Sequence, residues 1–419
     1  MELKPLFKDV ADAIREKDGT TGGIKAASFP ERIRAIPAGG GDIELESITV
    51  AAPPATTEYQ SGEFFDPTGL KVRAVYTNGA ARDIKDYTVT PSLSTPLTAD
   101  DTKIVIRFTE YGVTKVVEYP ISVDVLPPKK PLNDMSWADI RQVSDADLGA
   151  EYWNVGDRKG ITIKGTVGTL SVNTTLYAYI LGFNHNSARE GKGIQFGTFK
   201  TALSGGTDVC LIDSYYNQYE SYNGTKYFQM NHWGTSNSYS TNYGGWRACD
   251  MRYDVLGSTN KAPSGYGAQK TTSVVGYDAP ANTATSPVAN TLMAALPSDL
   301  RAVMKPITKY TDSVGNSSNA AANVTASVDY LPLLAEFEIF GTRSYANQYE
   351  QNSQAQYDYY KSGNSKVKYR HSSTGYTAIW WGRSPRHNTA VTFCIVDTNG
   401  NANATHACRS IGLAPVFMV

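Results

Sequence analysis

The residues of this chain that could do acid–base chemistry are two pairs of carboxylates. Glu336 and Glu338 lie two positions apart, and Asp312 and Asp329 form a second candidate pair. A glycosidase places one carboxyl group on each side of the bond that it cleaves. The apolar stretch VDYLPLLAEFEIFG predicts a strand, in which the two glutamates would share one face. We expect one of them to pair with an arginine, and glycan hydrolysis is the alternative.

The histidines and cysteines form no metal or redox motif. His185 and His232 lack a partner at metal-ligand spacing, so we interpret both as structural residues. The cysteines also lack the spacing of metal and redox motifs, and reduced thiols are expected at Cys210, Cys249, Cys394 and Cys408. A reactive pair formed by Cys394 and Cys408 is the alternative.

Two loops rich in Asp and Asn are the candidate cation sites. Residues 312–319 (DSVGNSSN) and 397–403 (DTNGNAN) have the composition of calcium loops, but both lack the ligand count and the distal bidentate glutamate. We therefore expect no metal and no cofactor, with calcium as the alternative. The sequence also contains no phosphate-binding loop or dinucleotide fingerprint. These observations favour a binding protein over an enzyme.

Composition excludes several classes of partner. The 419 residues are 41% hydrophobic and 19% charged, and the formal net charge is -1. A chain without a net positive charge has no overall electrostatic attraction to nucleic acid or to an anionic membrane. No apolar run approaches the roughly 18 residues of a membrane span. The N-terminus MELKPLFKDVADAIREK has no apolar signal core, so we expect synthesis in a bacterial cytoplasm without secretion.

Hydrophobic periodicity divides the chain into four parts. Residues 1–42 hold two short amphipathic helices, LKPLFKDVADAIREK and ASFPERIRAI, followed by a flexible PAGGGD joint. Residues 43–126 alternate apolar and polar side chains in several short segments, which predicts an all-β sandwich. Residues 127–134 (PPKKPLND) read as a stiff linker. Residues 135–419 predict one α+β domain in which long loops outweigh the regular elements.

Within residues 135–419 several elements can be predicted individually. SWADIRQVSDADLGAEYW predicts a helix with Ser136 as its N-cap and Asp139 at the N3 position. NTLMAALPSDLRAVM predicts a second helix. KGITIKGTVGTL and TLYAYILGFNHN predict strands, SYANQYEQNSQAQYDYYKSG predicts a helix or ordered loop, and the terminal stretch supplies the last strands.

The first parts of the chain resemble known families. In TTEYQSGEFFDPTGLKVRAVYTNGAARDI, a Tyr, a Gly and an Asp-Pro-Thr-Gly turn precede a strand, as in bacterial immunoglobulin-like domains. The resemblance covers residues 43–126 and implies a spacer or a carbohydrate-adhering module, of which we expect the spacer. Residues 1–42 resemble short N-terminal segments of phage structural proteins, which implies attachment to a virion.

The last part resembles the C-type-lectin-like domains of phage and bacterial variable proteins. The resemblance covers nearly all of residues 135–419, and the frame WW-RSP … GLAPVF is its most specific part. Further matching segments are SWADIR, YWNVGD, ILGFNHN, GGW, LPSDLRAVMK, LLAEFEIFGTRSY, YYKSGN and NGNA. The resemblance implies a fold shared with the major tropism determinant of phage and with formylglycine-generating enzymes, whose active-site residues have no counterpart here. Members usually carry Leu where this chain has Gly382.

In such families the C-terminal segment can be the target of a diversity-generating retroelement, which rewrites adenines in AAC and AAT codons. Lys, Glu, Gln, Met and Trp cannot arise in this way, and residues 382–411 contain none of them. These types make up about one residue in seven of the chain, so about four would be expected in the segment. Solvent-facing strands without Lys, Glu or Gln are also chemically unusual. The composition therefore favours a diversified surface.

In this interpretation a constant frame holds a replaceable surface. The core of the frame is expected at Trp380, Trp381, Pro385, Phe393, Val396, Phe417 and Val419, with a turn glycine at Gly400. Arg383 is expected to pair with Glu336 or Glu338. The residues that interrupt the frame are the candidates for contact with a partner: Arg386, His387, Asn388, Thr389, Val391, Thr392, Ile395, Asp397, Thr398, Asn403, Thr405, His406, Arg409 and Ile411.

The resemblances together imply a phage tail-associated receptor-binding protein of the virion, which is not an enzyme. Its variable surface would recognise a host-cell surface protein or glycan, and residues 1–42 would bind other virion tail proteins. A homo-oligomer would multiply weak contacts, and trimers are usual among tail-fibre relatives. A lectin-like bacterial surface adhesin of fixed specificity is the main alternative, and a cell-wall glycan hydrolase is the third.

Overall fold

Short strands make up most of the regular structure of this chain. A computed structural model describes residues 3–18, 20–35, 43–212, 218–219, 227–231, 240–265, 277–278 and 284–419. The chain divides into two units, Met1–Leu126 and Pro127–Val419. The PAGGGD segment, predicted as a joint, lies outside the described residues. Among the described helices, none has the length and apolar character needed to cross a membrane.

The first unit begins with two helices, α1 (Leu3–Asp18) and α2 (Phe29–Ala35), as predicted. Ala11 and Ile14 are buried on one face of α1 and pack with Phe29. Ser28 lies in a short 3-10 turn just before α2, and its hydroxyl donates to the Lys25 carbonyl.

The rest of the first unit is all β, as predicted. Its strands are β1 (Leu45–Ala52), β2 (Glu58–Gln60), β3 (Lys71–Tyr76), β4 (Ala81–Ile84), β5 (Thr88–Thr90), β6 (Lys103–Glu110), β7 (Val113–Pro120) and β8 (Ser122–Asp124). They pair in the orders β1-β3-β4, β5-β6-β7 and β2-β8. Because alternate side chains of a strand point to one face, Val72 and Ala74 of β3 meet Ile104 and Ile106 of β6 in one core.

The second unit is built around a 7-stranded sheet. Its helices are α3 (Trp137–Asp145), α4 (Gly149–Tyr152), α5 (Ser187–Glu190), α6 (Asp250–Asp254), α7 (Leu292–Ala295), α8 (Ser298–Val303), α9 (Glu336–Phe340) and α10 (Asp358–Lys361). Its strands are β9 (Arg158–Val167), β10 (Leu170–Phe183), β11 (Ile194–Lys200), β12 (Asp208–Cys210), β13 (Gln218–Tyr219), β14 (Ile307–Asp312), β15 (Val324–Asp329), β16 (Lys368–Arg370), β17 (Ser373–Ala378), β18 (Trp380–Pro385), β19 (Thr392–Val396), β20 (Ala402–His406), β21 (Arg409–Ser410) and β22 (Val416–Met418). The large sheet has the order β17-β16-β12-β11-β10-β9, and β22 pairs with β11.

The last residues of the chain lie inside the second unit. Phe417 of β22 is paired with Phe196 of β11, and the two rings stack with centroids 5.3 Å apart. Trp137 of α3 packs edge-on against both rings. Val419 is fully buried, and it exchanges backbone hydrogen bonds with Ile194. The end of the chain is therefore a core strand, which fixes where the preceding 382–411 segment can lie.

The predicted strands β9 and β10 of the second unit are confirmed, whereas the predicted helix SWADIRQVSDADLGAEYW is two helices, α3 and α4. The cap of α3 is as expected, since Ser136 accepts from the Asp139 N–H and Asp139 accepts from the Ser136 N–H. The predicted helix NTLMAALPSDLRAVM is instead two short helices, α7 and α8. Pro297 separates them because proline donates no N–H and holds the preceding residue, Leu296, in an extended conformation.

Two further predictions are wrong in part. The stretch VDYLPLLAEFEIFG is not one strand, because β15 ends at Asp329 and residues 336–340 form α9, which Gly341 ends with a left-handed φ of 67°. Residues 127–134, predicted as a linker, are held by the second unit. Tyr152 Oη donates to the Pro127 carbonyl, and Trp153 Nε1 donates to the Lys130 carbonyl.

The core of the first unit gives a test of this fold. Ile104→Ala should lower the free energy of unfolding of this unit by about 2–5 kcal/mol, because it leaves a cavity in a fully buried cluster. Val116→Ala on the same β6–β7 hairpin should change it by about 0.5 kcal/mol or less, since Val116 is exposed. Calorimetry of the full chain measures both, and equal shifts would contradict the assignment of the core.

Candidate ligand-binding site

The frame of the C-terminal segment is β18, which is buried along its whole length. Trp380 and Trp381 are both fully buried, and each indole has a partner for its N–H. Trp380 Nε1 donates to the Lys366 carbonyl at 3.1 Å, and Trp381 Nε1 donates to the Phe228 carbonyl at 2.9 Å. Buried indoles without such partners would destabilise the fold. The prediction that these residues belong to the core is confirmed.

The remaining predicted frame residues are also in place. Phe393 is fully buried and packs edge-on against Trp381, and Pro385 is buried opposite it in the β18–β19 pair. Gly400 has a φ of 82° in the turn between β19 and β20, as expected of a turn glycine. Gly382 lies at a close approach, because a Cβ there would lie 3.2 Å from the Cys394 carbonyl oxygen and 3.3 Å from the Leu334 carbonyl oxygen.

Arg383 is the charged residue of the frame, and of its two predicted partners, Glu336 and Glu338, it pairs with Glu338. The guanidinium is fully buried and binds both carboxylate oxygens, with Nη1–Oε2 and Nη2–Oε1 distances of 2.5 and 2.9 Å. Nε donates to Thr311 Oγ1 at 2.6 Å, and Nη1 also donates to the Leu333 carbonyl. A bidentate pair with two further hydrogen bonds to the guanidinium offsets much of the cost of burying both charges.

The pair extends to a second buried cation that sequence reasoning missed. Lys309 of β14 is fully buried, and its Nζ lies 2.9 Å from Glu338 Oε1 and 2.5 Å from Glu190 Oε2. Tyr357 Oη accepts a third hydrogen bond from Nζ at 2.9 Å. Burial alone would raise the pKa of Glu338, but Arg383 and Lys309 hold this pKa well below its usual range. Burial dominates at Glu190 and raises its pKa.

Glu336 has different hydrogen-bond partners from Glu338, although the two are close in sequence. Its carboxylate accepts from the backbone N–H groups of Ser344, Tyr345 and Ala346. It therefore holds the loop after α9, while Glu338 holds Arg383. Because both lie on a helix and not on a strand, the expectation that they share one strand face is wrong. Both carboxylates are fully engaged in structural contacts, and the geometry gives no support to an acid–base pair.

The second acidic pair is also structural. Asp312 and Asp329 lie at opposite ends of the β14–β15 hairpin. Asp329 is buried and accepts from Arg252 Nε at 2.7 Å and from Trp246 Nε1 at 3.0 Å. Asp312 Oδ1 accepts from the N–H groups of Val314 and Gly315, which fixes the turn at the start of the DSVGNSSN loop. Among the described residues, no group of three or more His, Cys, Asp or Glu side chains is arranged to hold a metal ion.

His185 and the cysteines of this unit are core residues. His185 is buried and stacks on Tyr357 with ring centroids 3.7 Å apart, and burial lowers its pKa to about 3. His232 lies outside the described residues. All four cysteines are buried. Burial raises the pKa values of Cys394 and Cys408, which opposes the thiolate that a reactive pair would need.

Most of the candidate contact residues retain some exposure, but some do not. Half-buried or exposed side chains are found at Arg386, His387, Asn388, Thr389, Val391, Asp397, Thr398, Asn403, His406 and Arg409. The expectation of exposure is wrong for Thr392, Ile395, Thr405 and Ile411, which are buried. Thr392 and Ile395 lie on β19, the middle strand of the β18-β19-β20 sheet, so neighbours cover them on both sides. Thr405 is paired with Phe393, and the Ile411 N–H donates to the Phe228 carbonyl.

The exposed candidates do not form a single patch. Residues 386–391 connect β18 to the start of β19, and residues 397–401 connect the end of β19 to β20. The two loops therefore lie at opposite ends of a short sheet, roughly 15 Å apart at the rise of an antiparallel strand. His406 pairs with Thr392 and so lies at the first end. In the second loop, Asp397 Oδ1 accepts from the N–H groups of Asn399 and Asn401, which is a turn-forming role.

We call residues 386–391 the β18–β19 loop, and Asn242 is the residue that fixes its shape. This buried amide donates from Nδ2 to the carbonyls of Thr389 and Thr392 at 2.8 and 2.9 Å, and its Oδ1 accepts from the Asn316 N–H. The Asn242 N–H donates to the Ala390 carbonyl. Sequence reasoning missed Asn242 because its partners are about 150 residues away, and no local pattern marks such a contact.

Family models match two segments of the chain. A family model described as a domain of unknown function (DUF6273) matches residues 210–419, which is half of the chain. The chain belongs to the DUF6273 family. A second model, described as a bacterial Ig-like domain (group 3), matches residues 52–123 and confirms the immunoglobulin-like prediction for this segment. No curated protein matches the chain. The DUF6273 match includes the β18–β19 loop, Asn242, Arg383 and Glu338.

The buried charges give the first test of the site. Glu338→Gln should lower the free energy of unfolding of the second unit by about 3–5 kcal/mol, because it leaves Arg383 and Lys309 buried with too little negative charge. Lys192→Met removes the exposed Lys192–Asp147 pair of the same unit and should cost about 1 kcal/mol or less. Denaturant unfolding of both variants measures these losses. Similar losses of unfolding free energy would show that the cost does not depend on burial of the ion pairs.

A second test uses pH. Burial raises the pKa of Glu350 to about 7, and its carboxylate accepts from Ser384 Oγ behind the frame. A glutamate of the unfolded chain titrates near about 4.3, so the folded state holds the proton more tightly. The contribution of Glu350 to stability is therefore fully present below about pH 4.3 and is lost as the pH rises towards 7.

Glu350→Gln removes this titration. Relative to the wild type, its free energy of unfolding should rise between pH 4.5 and 7 by at most about 1.4 kcal/mol per pH unit. A difference between Glu350→Gln and the wild type that stays constant over this pH range would rule out the raised pKa.

Proposed function

We propose that this chain is a phage tail-associated receptor-binding protein whose second unit is a C-type-lectin-like variable domain. Its ligand is a host-cell surface protein or glycan, and its contact surface is centred on the β18–β19 loop. The immunoglobulin-like domain serves as a spacer, and residues 1–42 attach the chain to other virion tail proteins. Copies of the chain assemble into a homo-oligomer, of which a trimer is the favoured form.

The observation that carries the proposal is how the β18–β19 loop is held. Its contacts with Asn242, Ser240 and Ser317 are made by the backbone carbonyls of Thr389, Ala390 and Val391, not by their side chains. A loop that is fixed through its backbone keeps its shape when its side chains change. The same loop falls in the 382–411 segment, which lacks every residue type that adenine rewriting cannot produce. Both features are expected of a surface that changes sequence without unfolding.

The buried frame supplies the second support for the proposal. β18 is buried throughout, and Arg383 ties it to α9 and, through Glu338, to Lys309 of β14. Substitutions at exposed positions cost within about 0.5 kcal/mol, whereas those in a core cost several. A preorganised surface also avoids the entropy cost of ordering a flexible loop when it binds. Binding and folding are thereby carried by different residues.

The DNA around the gene distinguishes a diversified receptor-binding protein from an adhesin of fixed specificity. We expect a reverse transcriptase gene nearby and a near-copy of the last ~120 bases that differs only at adenines. Sequencing of the locus tests this directly. A locus without either element would remove the retroelement from the proposal and favour the fixed adhesin.

Substitutions in the β18–β19 loop test whether this loop contacts the receptor. The triple variant Arg386→Ser, Asn388→Asp, Val391→Ala should change which bacterial strains the labelled full chain binds, while each change costs about 0.5 kcal/mol or less. Asn242→Ala should instead cost about 1–3 kcal/mol, because it removes the amide's hydrogen bonds to the Thr389 and Thr392 carbonyls and takes away the Oδ1 acceptor of the Asn316 N–H. Flow cytometry against a strain panel and thermal unfolding are the measurements.

The matched control for this experiment is the double variant Lys164→Ser, Thr166→Ala on exposed positions of β9. It should bind the same strains as the wild type. If the triple variant also keeps the wild-type pattern, then the β18–β19 loop does not contact the receptor. If the triple variant is as unstable as Asn242→Ala, the loop is not held through its backbone.

A further inference from the structure

We propose that the β18–β19 loop binds an oxyanion, a carboxylate or a phosphate, of an acidic glycan, with Arg386 and Arg343 as the cationic groups. This inference rests on the proposed function and adds the chemical class of the ligand. It comes from a cluster around Tyr345, in which a residue of the diversified segment meets residues that lie outside it. The cluster consists of Arg343, Tyr345, Arg386 and His387.

Arg386 is held in place but its charge is not neutralised. Its backbone N–H donates to the Thr392 carbonyl, and Arg386 forms an isolated β-bridge with Ala346. The half-buried guanidinium lies over the Tyr345 ring, 5.1 Å from the centroid. Its buried Nε has no hydrogen-bond partner among the described residues. A stacked guanidinium presents a planar set of N–H donors, which matches the geometry of carboxylate and phosphate.

Arg343 brings a second positive charge to the same place. Its Nη1 donates to the carbonyl of Ala346, the residue that is bridged to Arg386. Its buried Nε also lacks a partner within the described part of the chain. Arg343 lies before residue 382, so it is constant when the segment is rewritten. Arg343 would therefore be present in every diversified variant of the protein, whereas Arg386 would be present only in some of them.

The acidic group of this region does not neutralise the two arginines. Glu336 is buried beneath the loop, and its oxygens accept the backbone N–H groups of residues 344–346. Across the described residues, neither Arg343 nor Arg386 forms an ion pair, whereas buried Arg383 and Arg252 of this unit both do. Half-buried guanidinium groups without a counter-charge are costly unless solvent or a ligand takes their donors.

His387 completes the polar side of the cluster. Its backbone N–H and its Nδ1 both lie within hydrogen-bond distance of the Tyr345 carbonyl, at 2.9 and 2.8 Å. Because a carbonyl only accepts, Nδ1 carries the proton and the ring orientation is fixed. Exposed Asn388 follows and can donate from its amide. Such a group of donors around an aromatic ring suits an acidic sugar, whose ring packs on Tyr345 while its oxyanion meets the arginines.

The test uses the full chain and three immobilised polymers. Polygalacturonate carries carboxylates, poly(glycerol phosphate) carries phosphates, and dextran is neutral. We expect binding to at least one acidic polymer, none to dextran, and an affinity that falls as NaCl is raised. The acidic polymer that binds more tightly identifies the oxyanion. Arg386→Gln and Arg343→Gln should each weaken binding by about tenfold or more.

The matched control is Arg189→Gln. Arg189 also lies over a tyrosine of the same unit, 5.4 Å from the Tyr310 ring centroid, but it is outside the cluster. It should bind as the wild type does, and thermal unfolding confirms that all three variants are folded. Equal binding to dextran, no binding to either acidic polymer, or Arg386→Gln binding like Arg189→Gln would each overturn the inference.

The outcome also separates this inference from the proposed function. Bacterial cells that are bound equally at low and high salt, and equally by Arg386→Gln, would leave a receptor-binding protein whose ligand is not anionic. Binding to an acidic polymer without binding to any bacterial strain would instead count against the receptor function and would leave the anion site standing.

Discussion

The C-terminal segment depends on one buried carboxylate, Glu338, which two cations from different parts of the chain share. Arg383 arrives from β18 and Lys309 from β14, and Glu190 of α5 supplies the second negative charge. Each cation alone in a core would be strongly unfavourable, so neither strand can take its position unless α9 is in place. We expect the ion pairs to favour a single arrangement of β14, β18 and α9, in which β18 leads into the β18–β19 loop.

This constraint explains how a rigid base and a changeable surface coexist. Below the loop, the indole N–H groups of Trp380 and Trp381 donate to carbonyls, and Arg383 donates to Glu338, to the Leu333 carbonyl and to Thr311 Oγ1. In the loop, Asn242 binds carbonyl groups, which every residue type provides. The identity of a side chain therefore matters greatly in β18 and little in the loop. Specificity for a ligand can then be set by exposed residues such as Arg386 at little cost to the fold.

Sequence reasoning failed where a local pattern had more than one structural outcome. LLAEFEIF is apolar enough for a buried strand, but it forms the short helix α9, because Glu336 and Glu338 each find partners that only the folded chain brings near. The same long-range contacts decided which interrupting residues are exposed. Thr392 and Ile395 look like loop or surface residues in sequence, yet they are buried because β20 covers the strand that carries them. Asn242 gave no signal, since its partners are supplied by the last strands of the chain.

The sequence by itself determined the features that depend on neighbours along the chain. These are the period-two strands of the first unit, the Ser136 cap of α3, the buried tryptophans of the frame and the missing residue types of the 382–411 segment. Periodicity, capping and composition act over a few residues, so they can be read without a structure. Only the tertiary structure decided that Arg383 pairs with Glu338 and not Glu336, that the exposed candidates lie at two ends of a sheet, and that Arg386 meets Tyr345. Those facts join residues that lie far apart in sequence, and packing in three dimensions alone brings them together.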